Sequence, residues 1–276
     1  MTATPLTDTP VAVTGGAHGI GRAIAKHFAG EGARVAIGDL DQVAAHALAT
    51  EIGGGAIGIA LDVVDSKSFA AFLDTAEQNH GPLGVMVNNA GVDWMGPFHE
   101  EPDEVSRREL EVNLMGTILG SRLALQRMLP RGRGHLVNIA SGAGRVPLPG
   151  SSVYSASKHG IVGLTESLRL EYHGSGVHFT LVHPAQVRTA MLQGQPEPRL
   201  LPVVTPEAVA QAVLDAVRSN KFEVWVPASQ KLSFKVGNLL PRPLREGVMR
   251  ALGVGRIAGE ADLTERREYH ERMFGR

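Results

Sequence analysis

Short apolar runs alternate with longer helix-patterned segments along most of this chain, and that alternation restricts the fold more than any single motif. The runs Val11–Thr14, Arg34–Gly38, Ala56–Ala60, Val85–Asn88, His135–Ile139, His178–Val182 and Glu223–Val226 read as strands. Helical patterning fills residues 19–31, 41–52, 66–80, 103–130, 153–173 and 205–219 between them. Most of the strand runs are apolar throughout, as a parallel sheet with helices on both faces requires. The pattern therefore predicts an α/β protein with a doubly wound parallel sheet. No linker-like stretch divides the chain, so 1–228 reads as one catalytic-sized domain, and 229–276 as a C-terminal helical extension of it or a lid.

The first strand runs straight into Thr14-Gly-Gly-Ala-His-Gly-Ile-Gly21, which opens the first helix. Glycines at 15, 19 and 21 allow a sharp turn and a close backbone approach to a pyrophosphate. The free N–H groups and positive end of the following helix suit the same anion. A structural Gly-rich loop also fits the pattern, but its strand–turn–helix setting favours a dinucleotide.

Asp39 falls at the end of the second strand, where a carboxylate can accept from both adenosine ribose hydroxyls and repel a 2′-phosphate. That selects NAD over NADP. Leu40 follows where a phosphate-binding arginine could have stood, and His18 is the one cation in the turn, mostly neutral near neutral pH. Alternatively Asp41 caps the next helix and Asp39 is merely solvated. Asp62, before Val63, can receive the adenine amino group.

Tyr154 and Lys158 lie four residues apart on a predicted helix, which stacks them on one face. A nearby ammonium favours the phenolate and makes the pair a candidate general acid/base, although solvated helix faces carry the same spacing. The absence of cysteine excludes disulfides, thiolate catalysis and Cys-based metal sites. The 11 histidines show no His-Glu-x-x-His spacing, so no metal is expected, and His159, His178 and His183 read as scaffold. A net charge of −1 offers nothing global to nucleic acid or to an anionic membrane.

Taken together, Thr14–Gly21, Asp62-Val63, Asn88-Asn-Ala-Gly91, Asn113, Ser141, Tyr154 and Lys158 stand in the order found in the short-chain dehydrogenase/reductase family, and residues 8–227 resemble it. The resemblance implies a Rossmann fold, with NAD held by Gly15, His18, Gly19, Ile20, Gly21, Asp39, Asp62, Val63, Asn89, Ala90, Gly91, Tyr154, Lys158, Pro184, Val187 and Thr189. It implies that Tyr154 exchanges a proton with the substrate oxygen during hydride transfer. Lys158 would lower the Tyr154 pKa and bind the nicotinamide ribose, and Ser141 would hold the substrate oxygen. Asn113 would bend its helix and bind a water linking Lys158 to solvent. Pro184-Ala185 replaces the family's Pro-Gly, which predicts a small change of pocket shape with cofactor binding retained.

Trp94, Met95, Phe98, Val146, Leu148, Met191 and Leu192 make the loops 92–98, 144–150 and 190–204 mainly apolar, with Arg145 and Arg188 as isolated cations. The expected function is hydride transfer between NAD and a hydrophobic secondary alcohol or ketone. The alternatives are an NADP-dependent carbonyl reductase and a weakly catalytic NAD(H)-sensing protein. In the extension, Leu244, Val248, Met249 and Leu252 recur at helical spacing among basic residues, which suits packing, a lid or peripheral membrane contact, packing being favoured. The charge-rich tail after Leu263 reads as solvated. The resemblance implies a homodimer or homotetramer. With no cysteine and no apparent signal or membrane segment, a cytoplasmic location is expected.

Overall fold

A computed structural model describes residues 6–194, 203–251, 269–271 and 273–274. Seven strands form one parallel sheet: β1 (Pro10–Thr14), β2 (Arg34–Asp39), β3 (Ile57–Ala60), β4 (Val85–Asn88), β5 (Gly134–Ile139), β6 (Val177–Pro184) and β7 (Glu223–Val226). Their order across the sheet is β3-β2-β1-β4-β5-β6-β7. Every named pairing is parallel, with Val11 opposite both Val35 and Val85. The order reverses between β1 and β4, and open α/β sheets bind ligands outside the carboxyl ends of the strands at such a point.

Most strand residues are apolar because alternate side chains enter separate cores. Val11, Val13, Val35, Ile37, Val85 and Val87 pack on one face with Ile24 and Phe28 of α1 (Gly19–Gly30), Leu48 of α2 (Gln42–Ile52), and a helix over Pro206–Ser219. Ala12, Ala36, Met86 and Leu136 face the other way, onto Phe69, Phe72 and Leu73 of α3 (Ser66–His80) and onto a helix over Gly116–Met128. The helix starts are locally encoded: Asp41 Oδ1 accepts from Ala44 N at 2.9 Å, and Asp65 Oδ1 from Lys67 N at 2.9 Å. Asp41 is thus the cap, and Asp39 is left for another task.

The helix expected over 103–130 is interrupted. The segment α4 (Asp103–Leu110) passes through a π-helical turn, Glu111–Met115, into α5 (Gly116–Met128). One extra residue in a turn leaves apolar periodicity nearly unchanged, so the pattern of the sequence did not reveal it. After β5, α6 (Ser152–Glu171) carries Tyr154 and Lys158, and α7 (Pro206–Ser219) precedes β7. Two helices follow β7: α8 (Ser229–Leu239) and α9 (Arg242–Ala251). Residues 195–202 of the expected 190–204 substrate loop, Leu252, and 264–268 of the tail lie outside the described residues, and nothing is described of the Met249 side chain.

The tail expectation is corrected where the chain is described. Tyr269 is 2% exposed and Met273 and Phe274 pack against the second core, so this segment is not simply solvated. Its aromatic residues alternate with charged ones, and the charge count hid them. Among the described residues no helix is long and apolar enough to cross a membrane.

Candidate active site

The turn after β1 is fixed by its backbone. Gly15 has φ 58°, and a Cβ there would lie 2.8 Å from Ala90 Cα. A Cβ on Gly21 would lie 2.0 Å from Gly15 O and 2.6 Å from Asn89 Nδ2. Asn89 holds the turn from β4, donating to Thr14 O and Gly15 O at 3.0 Å each, while its own N–H donates to Thr14 Oγ1 at 3.0 Å. Asn89-Ala-Gly91 thus both ties β1 to β4 and floors the turn.

Gly21→Ala is therefore expected to cost at least the roughly 1–3 kcal/mol typical of overpacking. It should also weaken NADH binding by about tenfold or more, the equivalent of about 1.4 kcal/mol. Urea unfolding and a fluorescence titration check the two effects, and an unchanged variant would contradict the packing described here.

A dinucleotide fits these residues. His18 precedes α1 without capping it through its side chain, which leaves the first-turn N–H groups to an anion. Asp39 ends β2 half-buried, with Oδ2 accepting from Ala17 N at 2.9 Å and Oδ1 from Asp41 N at 3.1 Å. It is thus positioned by the turn and not merely solvated, and an ionised carboxylate keeps acceptor capacity for ribose hydroxyls. Nearby cations are engaged: His18 Nε2 lies 3.5 Å from Asp41 Oδ2, and Arg22 and Lys26 both pair with Glu51. Ile20 is half-buried against the first core.

Asp62 lies two residues beyond β3, not at its end, with Oδ1 accepting from Val64 N at 3.1 Å and Arg108 3.9 Å away. Val63 is 8% exposed beside Gly116. Pro184 ends β6 and Ala185 N donates to Val226 O at 2.8 Å. Val187 bridges to Val204, and the Thr189 side chain lies 3.0 Å from where a Cβ on Gly19 would stand.

Ser141 follows β5 and Tyr154 and Lys158 start α6, so two elements bring the three side chains together. The Ser141 side chain neighbours the Tyr154 hydroxyl, and its Oγ accepts from Ala143 N at 3.1 Å. Lys158 is 4% exposed, with Nζ 5.4 Å from the centre of the Tyr154 ring and donating to Ile139 O at 3.1 Å. Burial lowers its pKa to about 8, against the opposing pull of Glu109 and Asp93.

The Tyr154 hydroxyl is held above the ordinary phenol value, first by burial and then by the Asp93 charge; the neighbouring Ser141 side chain opposes both. The expected lowering of the Tyr154 pKa is therefore not met by this arrangement, because burial, with Asp93 and then Glu109 adding to it, raises the hydroxyl instead. Asn113, on the π turn, accepts from Val92 N at 2.8 Å and donates to Val92 O at 2.8 Å and Ser157 Oγ at 3.2 Å. Its side chain braces the 92–98 loop at Val92, and its backbone carbonyl takes the Thr117 hydroxyl at 2.7 Å.

Four residues that no motif singled out join the site: Asp93, Glu109, Tyr269 and His270. Asp93 is 4% exposed in the loop taken as apolar, and Glu109 is fully buried. Glu109 sits one helical turn before Asn113, and its Oε1 accepts from Trp94 N at 3.1 Å. Between these two clamps, Asp93 N donates to Tyr269 Oη at 3.3 Å, and the Trp94 ring stacks on His270 at 6.1 Å. The spacing of 109 and 113 was the available signal, since residues four apart on a helix face one loop.

Arg145 is not open to a substrate anion: it pairs with Glu166 and lies 3.7 Å from Glu223. Met95 is 2% exposed, while Phe98, at 66%, seals nothing. His183 is fully buried between Ser141 O, 3.2 Å away, and the Trp225 ring, and burial lowers its pKa to about 4, as a scaffold residue requires.

Burial, reinforced by Asp93, raises the Glu109 pKa from 4.5 to about 9. The unfolded chain releases this proton first, so Glu109 contributes a loss of stability that begins near pH 4.5 and grows until about pH 9. Glu109→Gln keeps the Trp94 acceptor and removes the titration. The variant should gain stability over wild type across that window, by a few kcal/mol at its alkaline end. Urea midpoints at both ends of the window test this, and a pH-independent difference would show that Glu109 does not titrate there.

The pattern that defines the short chain dehydrogenase family matches residues 9–199. "Probable oxidoreductase EphD" of Mycobacterium bovis is 34% identical over 261 residues, covering 86% of this chain but 44% of that protein. The chain thus spans less than half of that relative's length. "2-(S)-hydroxypropyl-CoM dehydrogenase 3" of Xanthobacter autotrophicus is 41% identical over 180 residues, 64% of this chain and 71% of that one. Among solved structures, a short chain dehydrogenase/reductase from Burkholderia phymatum in complex with NAD superposes with a TM-score of 0.78 at 25% identity, over 85% of this chain and 94% of that one. With the turn, the parallel sheet and the Ser141–Tyr154–Lys158 group in place, this chain belongs to the short chain dehydrogenase family.

Proposed function

We propose that the protein interconverts an apolar secondary alcohol and its ketone with NAD as the cofactor, Tyr154 acting as general acid/base. The observation that carries this reading is the convergence of Ser141 and Tyr154, with Lys158 buried behind them and its Nζ 5.4 Å from the Tyr154 ring centre. NAD, when bound, would supply the hydride acceptor. The hydroxyl proton goes to Tyr154 as the carbinol carbon becomes a ketone, and returns from it in reduction. Ser141 orients the substrate oxygen by a neutral hydrogen bond. Lys158 holds the nicotinamide ribose, and Asn113 fixes the Val92–Trp94 loop against the pocket.

Asp39 supports NAD over NADP through its position at the end of β2 and the engagement of nearby cations. Trp94, Met95, Val146, Leu148, Met191 and Leu192, all half-buried or buried, support an apolar substrate. The buried Asp93 and Glu109 add one polar spot to that wall. A homo-oligomer is supported by Leu110, Met115 and Leu170, which are 38%, 54% and 78% exposed on α4–α6. A panel of apolar secondary alcohols, followed by NADH absorbance, tests the assignment. Turnover of several is expected, whereas binding of NADH without turnover of any would favour a sensing protein.

A further inference from the structure

The helices after β7 present an apolar face that nothing in the described chain covers. Phe234 anchors α8 by stacking on Trp225 at 5.3 Å, and Lys231 pairs with Glu223 at 2.8 Å. Leu232, Val236 and Leu239, at helical spacings of four and three, share the opposite stripe and are 67%, 52% and 84% exposed. On α9, Leu244 and Val248 are again four apart and are 54% and 42% exposed. The Phe234 side of this segment therefore packs on the body, while Leu232, Val236, Leu239, Leu244 and Val248 leave much of their surface exposed.

Charge indicates what the exposed side meets. Residues 229–251 carry five cations, Lys231, Lys235, Arg242, Arg245 and Arg250, against the single acid Glu246, in a chain whose net charge is −1. Glu223 is the acid facing Lys231 from β7, and Glu246 pairs with Arg242. A second copy docking face to face would oppose the same cations across a two-fold axis, which like-charge repulsion disfavours. An anionic bilayer satisfies both the apolar stripe and the cation excess.

We propose that α8 and α9 dock the protein on an anionic lipid surface. The inner side of α8, behind the exposed stripe, reaches toward the segment that carries Ser141. Gln230 Oε1 lies 3.7 Å from where a Cβ on Gly142 would stand, and the rings of Phe234, Trp225 and His183 lead in sequence to Ser141 O. Docking would hold the active-site side of the protein close to a membrane that could store an apolar substrate. This consequence rests on the substrate reading above; the docking itself does not.

The test is flotation of the full chain with vesicles of phosphatidylcholine, alone or with about 30 mol% phosphatidylglycerol, at low and high salt. Binding should be roughly tenfold or more stronger on the anionic vesicles and weaken at high salt. It should fall similarly in Leu232→Asp/Leu239→Asp and in Lys235→Glu, both of which keep turnover of a water-soluble alcohol. The exposed Lys235 gives a readout even if the double variant fails to fold. Absent binding, or equal binding to both vesicle types, overturns the proposal. So does sedimentation showing that the leucine variant splits an oligomer, which would assign the face to a second copy. Failure of every alcohol in the activity panel leaves the flotation result unaffected, so the two readings fail separately.

Discussion

Tyr154→Phe is expected to lower kcat by roughly 10²–10⁴-fold, the usual contribution of a positioned acid/base. NADH affinity should stay within about threefold, because under about 0.7 kcal/mol of binding is at stake when a neutral hydroxyl is removed from the rim of a cofactor site. The phenol is held protonated by burial and by the Asp93 charge. In wild type, alcohol oxidation should therefore rise with pH as the phenolate becomes available, and ketone reduction should fall. The variant has no proton to exchange, so both profiles should flatten. Initial rates in both directions across pH check this. A Phe variant that keeps the wild-type rate and slope would remove Tyr154 from the chemistry.

Replacing Asp39 with Ala and Leu40 with Arg is expected to reverse cofactor preference. Charge-assisted hydrogen bonds to the ribose are worth roughly 1.5–3 kcal/mol, so kcat/KM with NAD should fall by about 10–150-fold. Leu40 is 69% exposed, and an arginine there has room to meet a 2′-phosphate once the carboxylate is gone. Asp39 also accepts from Ala17 N, so part of the loss with NAD comes from a loosened turn. Asp39→Asn separates the two effects by keeping one acceptor oxygen. The change is read as the ratio of kcat/KM for NAD to that for NADP. Wild type that already favours NADP would overturn the role given to Asp39.

The sheet was legible because each strand buries both faces, so β4 and β7 fall on the predicted residues and the others within two at either end. The turn and the order of Ser141, Tyr154 and Lys158 were legible for the related reason that their chemistry is carried by local spacing. What escaped is non-local. Nothing near Asp93 in sequence reveals that Glu109 and Tyr269 approach its loop, because that contact depends on how α4 and the C-terminal segment fold across it. The π turn at Glu111–Met115 escaped because the apolar residues on either side remain in phase. Lys158 was expected to act on Tyr154 and on the nicotinamide ribose, and no spacing pointed to a backbone partner. Its bond to Ile139 O depends on how α6 seats against the end of β5.

The central claim is that a hydride leaves a carbinol carbon at this site while Tyr154 handles the proton. The most direct measurement uses an apolar secondary alcohol from the panel carrying deuterium on that carbon, incubated with NAD and followed by mass analysis of the reduced cofactor. The account predicts deuterium on the nicotinamide ring with wild type, at a rate slower than with the unlabelled alcohol if hydride transfer limits turnover, and negligible label with Tyr154→Phe over the same time. Reduced cofactor without the label, or equal labelling by both proteins, would contradict it.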